Sequence, residues 1–326
     1  MTYFRTQDMD PLRYLLFCYS LLTILLGTIG NGFVLHVIIR CKLQHINRIN
    51  MNFIRGLALS DLVYIYARVF PVAVSNLTNS WVFGHHVCWA SSMLASIAAI
   101  ANVNFIAAVT VHRLMILSFP LKSFHFMIKY TRPLCYLVWL YASILGMRSI
   151  FVKTTAIYVP QISTCIINYA YSGTENIIFS VLFLITPFSL IIISNLILIW
   201  KTFAYSRSIR GNTAIRITKN GMKIMLKKRQ RQATLTVGSL SLLLVISWLP
   251  GFIKRLGGLQ KTHPGLSKAT IYLFFLNCFG NPILYTLCSR DFKSEVQKKI
   301  KSCFIIGQKL TTKGSLNNMP TTRKNS

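Results

Sequence analysis

Asp61 is the side chain whose setting most calls for chemistry. It lies in the apolar run Leu57-Ala58-Leu59-Ser60-Asp61-Leu62. The chain carries six acids in 326 residues, and the other five, Asp8, Asp10, Glu175, Asp291 and Glu295, fall in loops or tails. A charge within a membrane-length segment is unfavourable by roughly 2.5–3.5 kcal/mol on insertion scales, so such a group is turned inward and given partners. Asn31, in the preceding apolar run, sits at a similar depth and is the expected partner. An isolated interhelical hydrogen bond, worth about 0.6 kcal/mol, is the alternative for Asn31. Arg68 follows Asp61 by seven residues, hence on the same helix face roughly 10.5 Å higher. It either binds an anion there or reaches down to Asp61 as an internal pair. No catalytic or metal-ligating cluster accompanies these residues. His85-His86 are adjacent and lack supporting Cys or acids, so an enzyme is not expected.

The composition says what positions these groups. The chain is 53% hydrophobic and only 13% charged, against about 25% charged in a soluble domain; its mean hydropathy is +0.51. Runs long enough to cross about 30 Å of hydrocarbon are Tyr14–Ile39, Gly56–Leu77, Val87–Val111, Pro133–Val152, Asn176–Trp200, Gln232–Ile253 and Ala269–Ser289. The expected fold is an all-α seven-transmembrane helix bundle. Its organisation is a short outer N-terminus (1–13), the bundle (14–289), an amphipathic juxtamembrane helix (290–304) and a disordered tail (305–326).

The net charge of +30 first suggests nucleic acid, but the basic residues lie between apolar segments. Ten fall within Lys201–Arg231, nine follow Ser289, and eight more lie in the loops after the first and third spans. By the positive-inside rule these loops face the cytoplasm and the N-terminus lies outside, as in a multi-pass plasma-membrane protein. Attraction to anionic lipid accounts for most of this charge. Nucleic acid is excluded by that topology. The first span, with no cleavable signal ahead of it, is expected to act as a signal anchor.

This orientation also sorts the eight cysteines. Only Cys88 and Cys165 share the oxidising side, which pairs them and ties an outer loop to the third span. Asn76-Leu77-Thr78 is a glycosylation sequon on that side, close to the membrane. Beyond Ser289, Phe292, Val296, Ile300 and Phe304 recur every four residues among lysines, as in a helix lying on the inner leaflet. Cys303 there is a candidate for palmitoylation.

Prolines interrupt the fifth, sixth and seventh spans at Pro187, Pro250 and Pro282, each removing a backbone hydrogen bond and placing a kink. Three kinked helices in one bundle suggest a structure that changes shape.

From about residue 12 to 304 the chain resembles the rhodopsin-like family of G-protein-coupled receptors. The resemblance rests on Gly30-Asn31, Leu57-Ala58-Leu59-Ser60-Asp61, Trp81 before Cys88, Arg113 with Pro120, Trp139, Cys165, Pro187, Trp248-Leu249-Pro250 and Asn281-Pro282-Ile283-Leu284-Tyr285, in the family's order and spacing. It implies an extracellular ligand, a heterotrimeric G protein on the cytoplasmic face, and population shift between two packings. It implies a polar network with a possible sodium ion at Asp61, formed with Asn31, Asn102, Asn277 and Asn281. Trp248 is the implied toggle beneath the ligand, and Arg113 and Tyr285 are switches with Pro187, Pro250 and Pro282. The implied pocket comprises Arg68, Ala95, Ser96, Ala99, Phe179, Phe183, Trp248, Phe252, Arg255, Ile271 and Phe275. No cofactor is implied.

The departures carry information. The family's Asp-Arg-Tyr is His112-Arg113-Leu114 here, and the start of the sixth span, Lys227-Lys228-Arg229-Gln230-Arg231, holds no acid. Neither usual carboxylate can restrain Arg113, which points to raised basal signalling; ordinary basal activity, with Arg113 held by other hydrogen bonds, stays open. Asn195 replaces a tyrosine of the fifth span, which leaves a poorly coupling decoy or scaffold as a further alternative. Asn102 stands where Ser is common, which puts sodium ligation in question, and Leu244 where Phe is common. Ala95 replaces the aspartate that holds amines in aminergic receptors. Phe275 stands at the retinal-lysine position, with no lysine from Ala269 to Ser289. Arg68 near the pocket floor or wall, Lys254 and Arg255 at the top of the sixth span, and Arg148, Lys153 and Lys268 around the mouth suit an anionic small molecule or short peptide; snorkelling of those side chains to headgroups or water is the alternative. A transporter fits less well, since no internal repeat divides the chain.

Overall fold

The computed structural model describes residues 11–40, 45–147, 155–168, 178, 181–211, 219–256 and 264–288. The helices are α1 (Pro11–Arg40), α2 (His45–Tyr64), α3 (Phe70–Thr78), α4 (Gly84–Ser118), α5 (Pro120–Gly146), α6 (Thr186–Gly211), α7 (Lys219–Leu256) and α8 (Pro264–Cys288). A π-helical turn, Ile65–Val69, joins α2 to α3 as one span, and a second, Val181–Ile185, leads into α6. Phe179, the side chains of Phe252, Lys254 and Arg255, Arg148, Lys153, Cys303 and the segments 290–304 and 305–326 lie outside the described residues.

Both π turns lie directly before a proline. Pro71 and Pro187 lack an N–H and would press on the carbonyl four residues back, Ala67 and Phe183 respectively. A π turn widens the ladder at that point and absorbs the clash. Pro133, Pro250 and Pro282 lie inside α5, α7 and α8. Six helical segments among the described residues are long and apolar enough to cross a membrane. The expected fourth span falls in α5, whose described part ends at Gly146; it is not among the six, yet it packs on α4 and α2.

The helix at the centre is α4. It packs against α2, α5, α6 and α7 and against both strands of a small hairpin. Its buried face is rich in alanine (Ala95, Ala98, Ala99, Ala101, Ala107), and small residues let neighbouring backbones approach where no hydrophobic effect drives helix association. Phe53, Leu57, Phe105, Leu240 and Leu244 fill the core between these helices. A second cluster, Ile65, Val69, Val72, Tyr272, Phe275 and Cys278, lies between α3 and α8 beside α1.

The hairpin pairs β1 (Thr155–Val159) with β2 (Thr164–Asn168), antiparallel, with Tyr158 opposite Cys165. Cys165 is bonded to Cys88 at the start of α4, as expected, with Cα atoms 5.4 Å apart. The hairpin therefore covers one end of the bundle. Burial raises the Tyr158 phenol above its ordinary range, against an opposing pull from Arg13.

Two glycines set helix approach. A Cβ on Gly30 would meet Pro282 Cγ at 2.8 Å, and one on Gly146 would meet the Ile97 backbone nitrogen at 2.9 Å. Backbone cannot move aside cheaply, so Gly146→Ala is expected to destabilise by about 1–3 kcal/mol. Gly32 has nothing within 4 Å of its would-be Cβ, and Gly32→Ala is expected to be neutral or stabilising by up to about 1 kcal/mol. Thermal unfolding of the purified protein checks the order of the two variants; Gly32→Ala unfolding below Gly146→Ala would contradict this packing.

Candidate functional site

Asp61 is 1% exposed, and its carboxylate accepts two amide hydrogen bonds. Asn102 Nδ2 of α4 donates to Oδ1 at 2.7 Å, and Asn281 Nδ2 of α8 donates to Oδ2 at 2.9 Å. Asn277 Nδ2 donates to Asn102 Oδ1 at 2.7 Å. One acid thus ties α2, α4 and α8 together at the centre of the bundle. The expected pairing of Asn31 with Asp61 is not formed. Asn31 Nδ2 donates to the Gly27 and Cys278 carbonyls at 2.9 and 2.7 Å, which spends both its N–H groups on backbone. Asn31 still serves the site, by fastening α1 to α8.

Directly above lies a narrow cavity, with room for about one water molecule, lined by Asp61, Tyr64, Ala98, Ala99, Asn102, Trp248, Phe274, Asn277 and Cys278. Trp248 packs on Phe274 with centroids 4.8 Å apart and ring planes tilted by 32°, and meets Phe183 edge-on at 5.7 Å. Its indole N–H is buried and finds no partner among the described residues. Of the expected pocket residues, Ala99 and Trp248 line this cavity, and Phe183 backs Trp248. Ala95 is buried without lining it. Phe275 and Ile271 do not line it: Phe275 stacks on Tyr19 at 6.4 Å and meets Tyr272, and Ile271 packs on the same cluster. One helical residue is a rotation of about 100°, so Phe274 takes the place expected of Phe275. Tyr64, Phe274 and Cys278 belong to none of the motifs read from the sequence. Their signal is spacing, since Tyr64 lies one turn after Asp61, and Phe274 and Cys278 lie two turns and one turn before Asn281.

Arg68 points up rather than down. Its Nη1 donates to Thr164 Oγ1 at 2.7 Å and to the Cys165 carbonyl. Ser92 Oγ donates to the same carbonyl at 2.9 Å. The internal pair with Asp61 is not made, and among the described residues no carboxylate pairs with this guanidinium. Asn76, expected as a glycan acceptor, is fully buried and donates to the Tyr272 hydroxyl at 2.6 Å. A glycan on that nitrogen and this packing exclude each other, because the amide has no outlet to solvent.

At the opposite end His112 is 1% exposed, its ring edge-on to Phe53 at 5.8 Å, with neither nitrogen partnered among the described residues. Asn195 Nδ2 donates to Ser241 Oγ of α7 at 2.9 Å, and Thr202 and Thr234 hydroxyls meet at 3.2 Å. The two contacts lie seven residues apart on each helix and fasten α6 to α7. Lys201 Nζ adds a bond to Ser118 Oγ of α4 at 2.9 Å. Leu244 and Tyr285 are buried, and so are Pro187 and Pro282 within their helices.

Known proteins bear on this geometry. The family described as "7 transmembrane receptor (rhodopsin family)" matches residues 30–285. The chain belongs to the rhodopsin-like receptor family. Galanin receptor 2b of Danio rerio is 27% identical over 307 residues, covering 92% of this chain and 78% of that protein. Melatonin receptor type 1A of Mus musculus is 27% identical over 295 residues, covering 86% and 78%. The crystal structure of squid rhodopsin has the same fold, with a TM-score of 0.74 at 17% identity over 91% of this chain and 84% of that one. The chain is therefore a multi-pass G-protein-coupled receptor and not an enzyme, and Trp248, the Asp61 network and the α6–α7 contacts occupy a receptor bundle.

A hinge motion about Pro250 that swings the lower part of α7 away from α6 has to break the Asn195–Ser241 and Thr202–Thr234 contacts. Interhelical hydrogen bonds in membranes average about 0.6 kcal/mol, a factor of about three in an equilibrium. Ser241→Ala is expected to raise basal G-protein activation by about that factor at matched surface expression, and an unchanged or lower basal signal would contradict a restraining role.

Proposed function

We propose that this receptor sits in the plasma membrane with its N-terminus outside and responds to an anionic extracellular ligand that enters at the hairpin end. It passes the signal through Trp248 and the Asp61 network to a heterotrimeric G protein at the basic end. The observation that carries the ligand class is Arg68. A guanidinium beneath the β1–β2 hairpin has neutral described partners, Thr164, Cys165 and Tyr64. A cation in such a setting gains most from a carboxylate or phosphate, which its planar fork can bind bidentately. The named relatives, a galanin receptor and a melatonin receptor, do not share one ligand, so kinship leaves the choice to the site.

Basal signalling follows from the other end. An imidazole packed against Phe53 cannot offer Arg113 the negative charge that an acid at position 112 supplies. Without that charge the neutral α6–α7 contacts carry more of the restraint, and they hold less firmly than a charge-assisted pair. The receptor is accordingly expected to signal without agonist. A weakly coupling receptor is the second reading, favoured by Asn195, whose amide is committed to Ser241 where the family has a tyrosine.

G-protein activation sensors in cells compare the intact receptor, Arg113→Ala, His112→Asp and empty vector at matched surface expression. A basal signal above vector that Arg113→Ala abolishes and His112→Asp reduces supports the proposal; an intact receptor that signals no more than vector favours the weakly coupling reading. With an agonist found among carboxylate- and phosphate-bearing compounds, Arg68→Gln is expected to lower potency tenfold or more, about 1.4 kcal/mol or above. Thr164→Val, which removes only a neutral hairpin contact, is expected to change potency far less. Equal potency for Arg68→Gln and the intact receptor would remove the case for an anionic ligand.

A further inference from the structure

The family resemblance implies a sodium ion at Asp61, and the orientation of the surrounding amides tests the fit. A hard cation takes oxygen ligands. Here both carboxylate oxygens face N–H groups instead: Oδ1 meets Asn102 Nδ2 at 2.7 Å and Oδ2 meets Asn281 Nδ2 at 2.9 Å. Asn102 Nδ2 also reaches Ser60 Oγ at 3.4 Å, while Ser60 donates its own hydrogen to the Leu57 carbonyl at 2.8 Å. Asn102 Oδ1 faces away from Asp61 and accepts from Asn277 Nδ2 at 2.7 Å.

The sense of this chain is set by the acid. An ionised carboxylate only accepts, so the group 2.7 Å from Oδ1 has to be the N–H2 of Asn102. The Asn102 oxygen then faces Asn277, which has to donate. Turning Asn102 over would set an amide oxygen against the carboxylate oxygen and oblige Asn277 to turn as well. Two buried oxygens, Asn277 Oδ1 and Asn281 Oδ1, find no partner among the described residues. Each belongs to an amide whose N–H2 already serves an acceptor. An ion shared between Asn281 Oδ1 and Asp61 would sit against the hydrogens that the same amide turns to the carboxylate. The residues present therefore do not fit a sodium ion.

We infer that Asp61 in this receptor is compensated by a directed amide relay, Asn277 to Asn102 to Asp61, instead of by sodium, and that Asn102 is the residue that excludes the ion. A serine at this position, usual in the family, carries one hydrogen and no N–H2 group. It leaves lone pairs on Oδ1 and contributes an oxygen of its own. The amide does the cation's work by presenting partial positive charge to the carboxylate without a soluble species. The relay also reaches the cavity that Asn277 shares with Trp248, so the packing beneath Trp248 does not depend on the ionic composition outside.

The test uses the purified full-length receptor without agonist. Thermal unfolding is followed in sodium chloride, potassium chloride and N-methylglucamine chloride at equal ionic strength. An ion that binds only the folded state raises Tm with its concentration. The intact receptor is expected to give superimposable curves in the three salts, and Asn102→Ser is expected to gain a saturable Tm rise specific to sodium. A saturable, sodium-specific rise in the intact receptor would overturn the inference whether or not the variant folds. A folded Asn102→Ser receptor that stays indifferent to sodium would overturn the role given to Asn102.

Discussion

A single buried carboxylate is the constraint around which the bundle is arranged. Asp61 lies at 1% exposure in the middle of a membrane-spanning helix, where an uncompensated charge is too unfavourable to keep. Its compensation comes from α4 and α8, so α2, α4 and α8 are held at one depth and one rotation. The helices farther out are set from there. Asn31 carries α1 to α8 through the Cys278 carbonyl, and the alanine face of α4 brings the remaining helices close. Amide-to-carboxylate bonds are directional, and they fix rotation in a way that apolar contacts between helices in lipid cannot.

From that centre the two ends differ in chemistry. At the hairpin end covalent and ionic groups dominate: the Cys88–Cys165 bond and the Arg68 guanidinium both hold β2 over the bundle. At the other end the described contacts between α6 and α7 are neutral, amide to hydroxyl and hydroxyl to hydroxyl. The cavity beneath Trp248 lies between the two, with Asp61 and Asn277 in its lining. A shift in the position of Trp248 is therefore felt at once by the network that sets helix rotation, and the weakly held end is the one free to move.

Much of this is legible in the residues alone. The disulfide follows from which cysteines share a compartment, and the family from the order of short motifs around Asp61, Trp248 and Asn281. Azimuth is what the residues do not reveal. Asn31 matches Asp61 in depth but faces the α8 backbone, and Phe275 differs from Phe274 by one residue and hence by about 100° of rotation. Spacing alone puts Arg68 two turns above Asp61 on one face, but the π turn Ile65–Val69 intervenes. Its wider winding breaks the seven-residue repeat, and the side chain meets the hairpin. Asn76 shows a different limit, since a three-residue sequon states nothing about burial and the Tyr272 hydroxyl that claims this amide lies 196 residues away.

The central claim is that Asp61 and its amide donors act as one unit joining α2 to α8. A double-mutant cycle on thermal stability, with Asp61→Ala, Asn281→Ala and the pair, measures this most directly. The account predicts a coupling of about 1–3 kcal/mol, because either substitution alone leaves the other polar group buried without its partner. Effects that add to within about 0.5 kcal/mol would mean that the two residues contribute independently, and the carboxylate would lose its place as the organising contact.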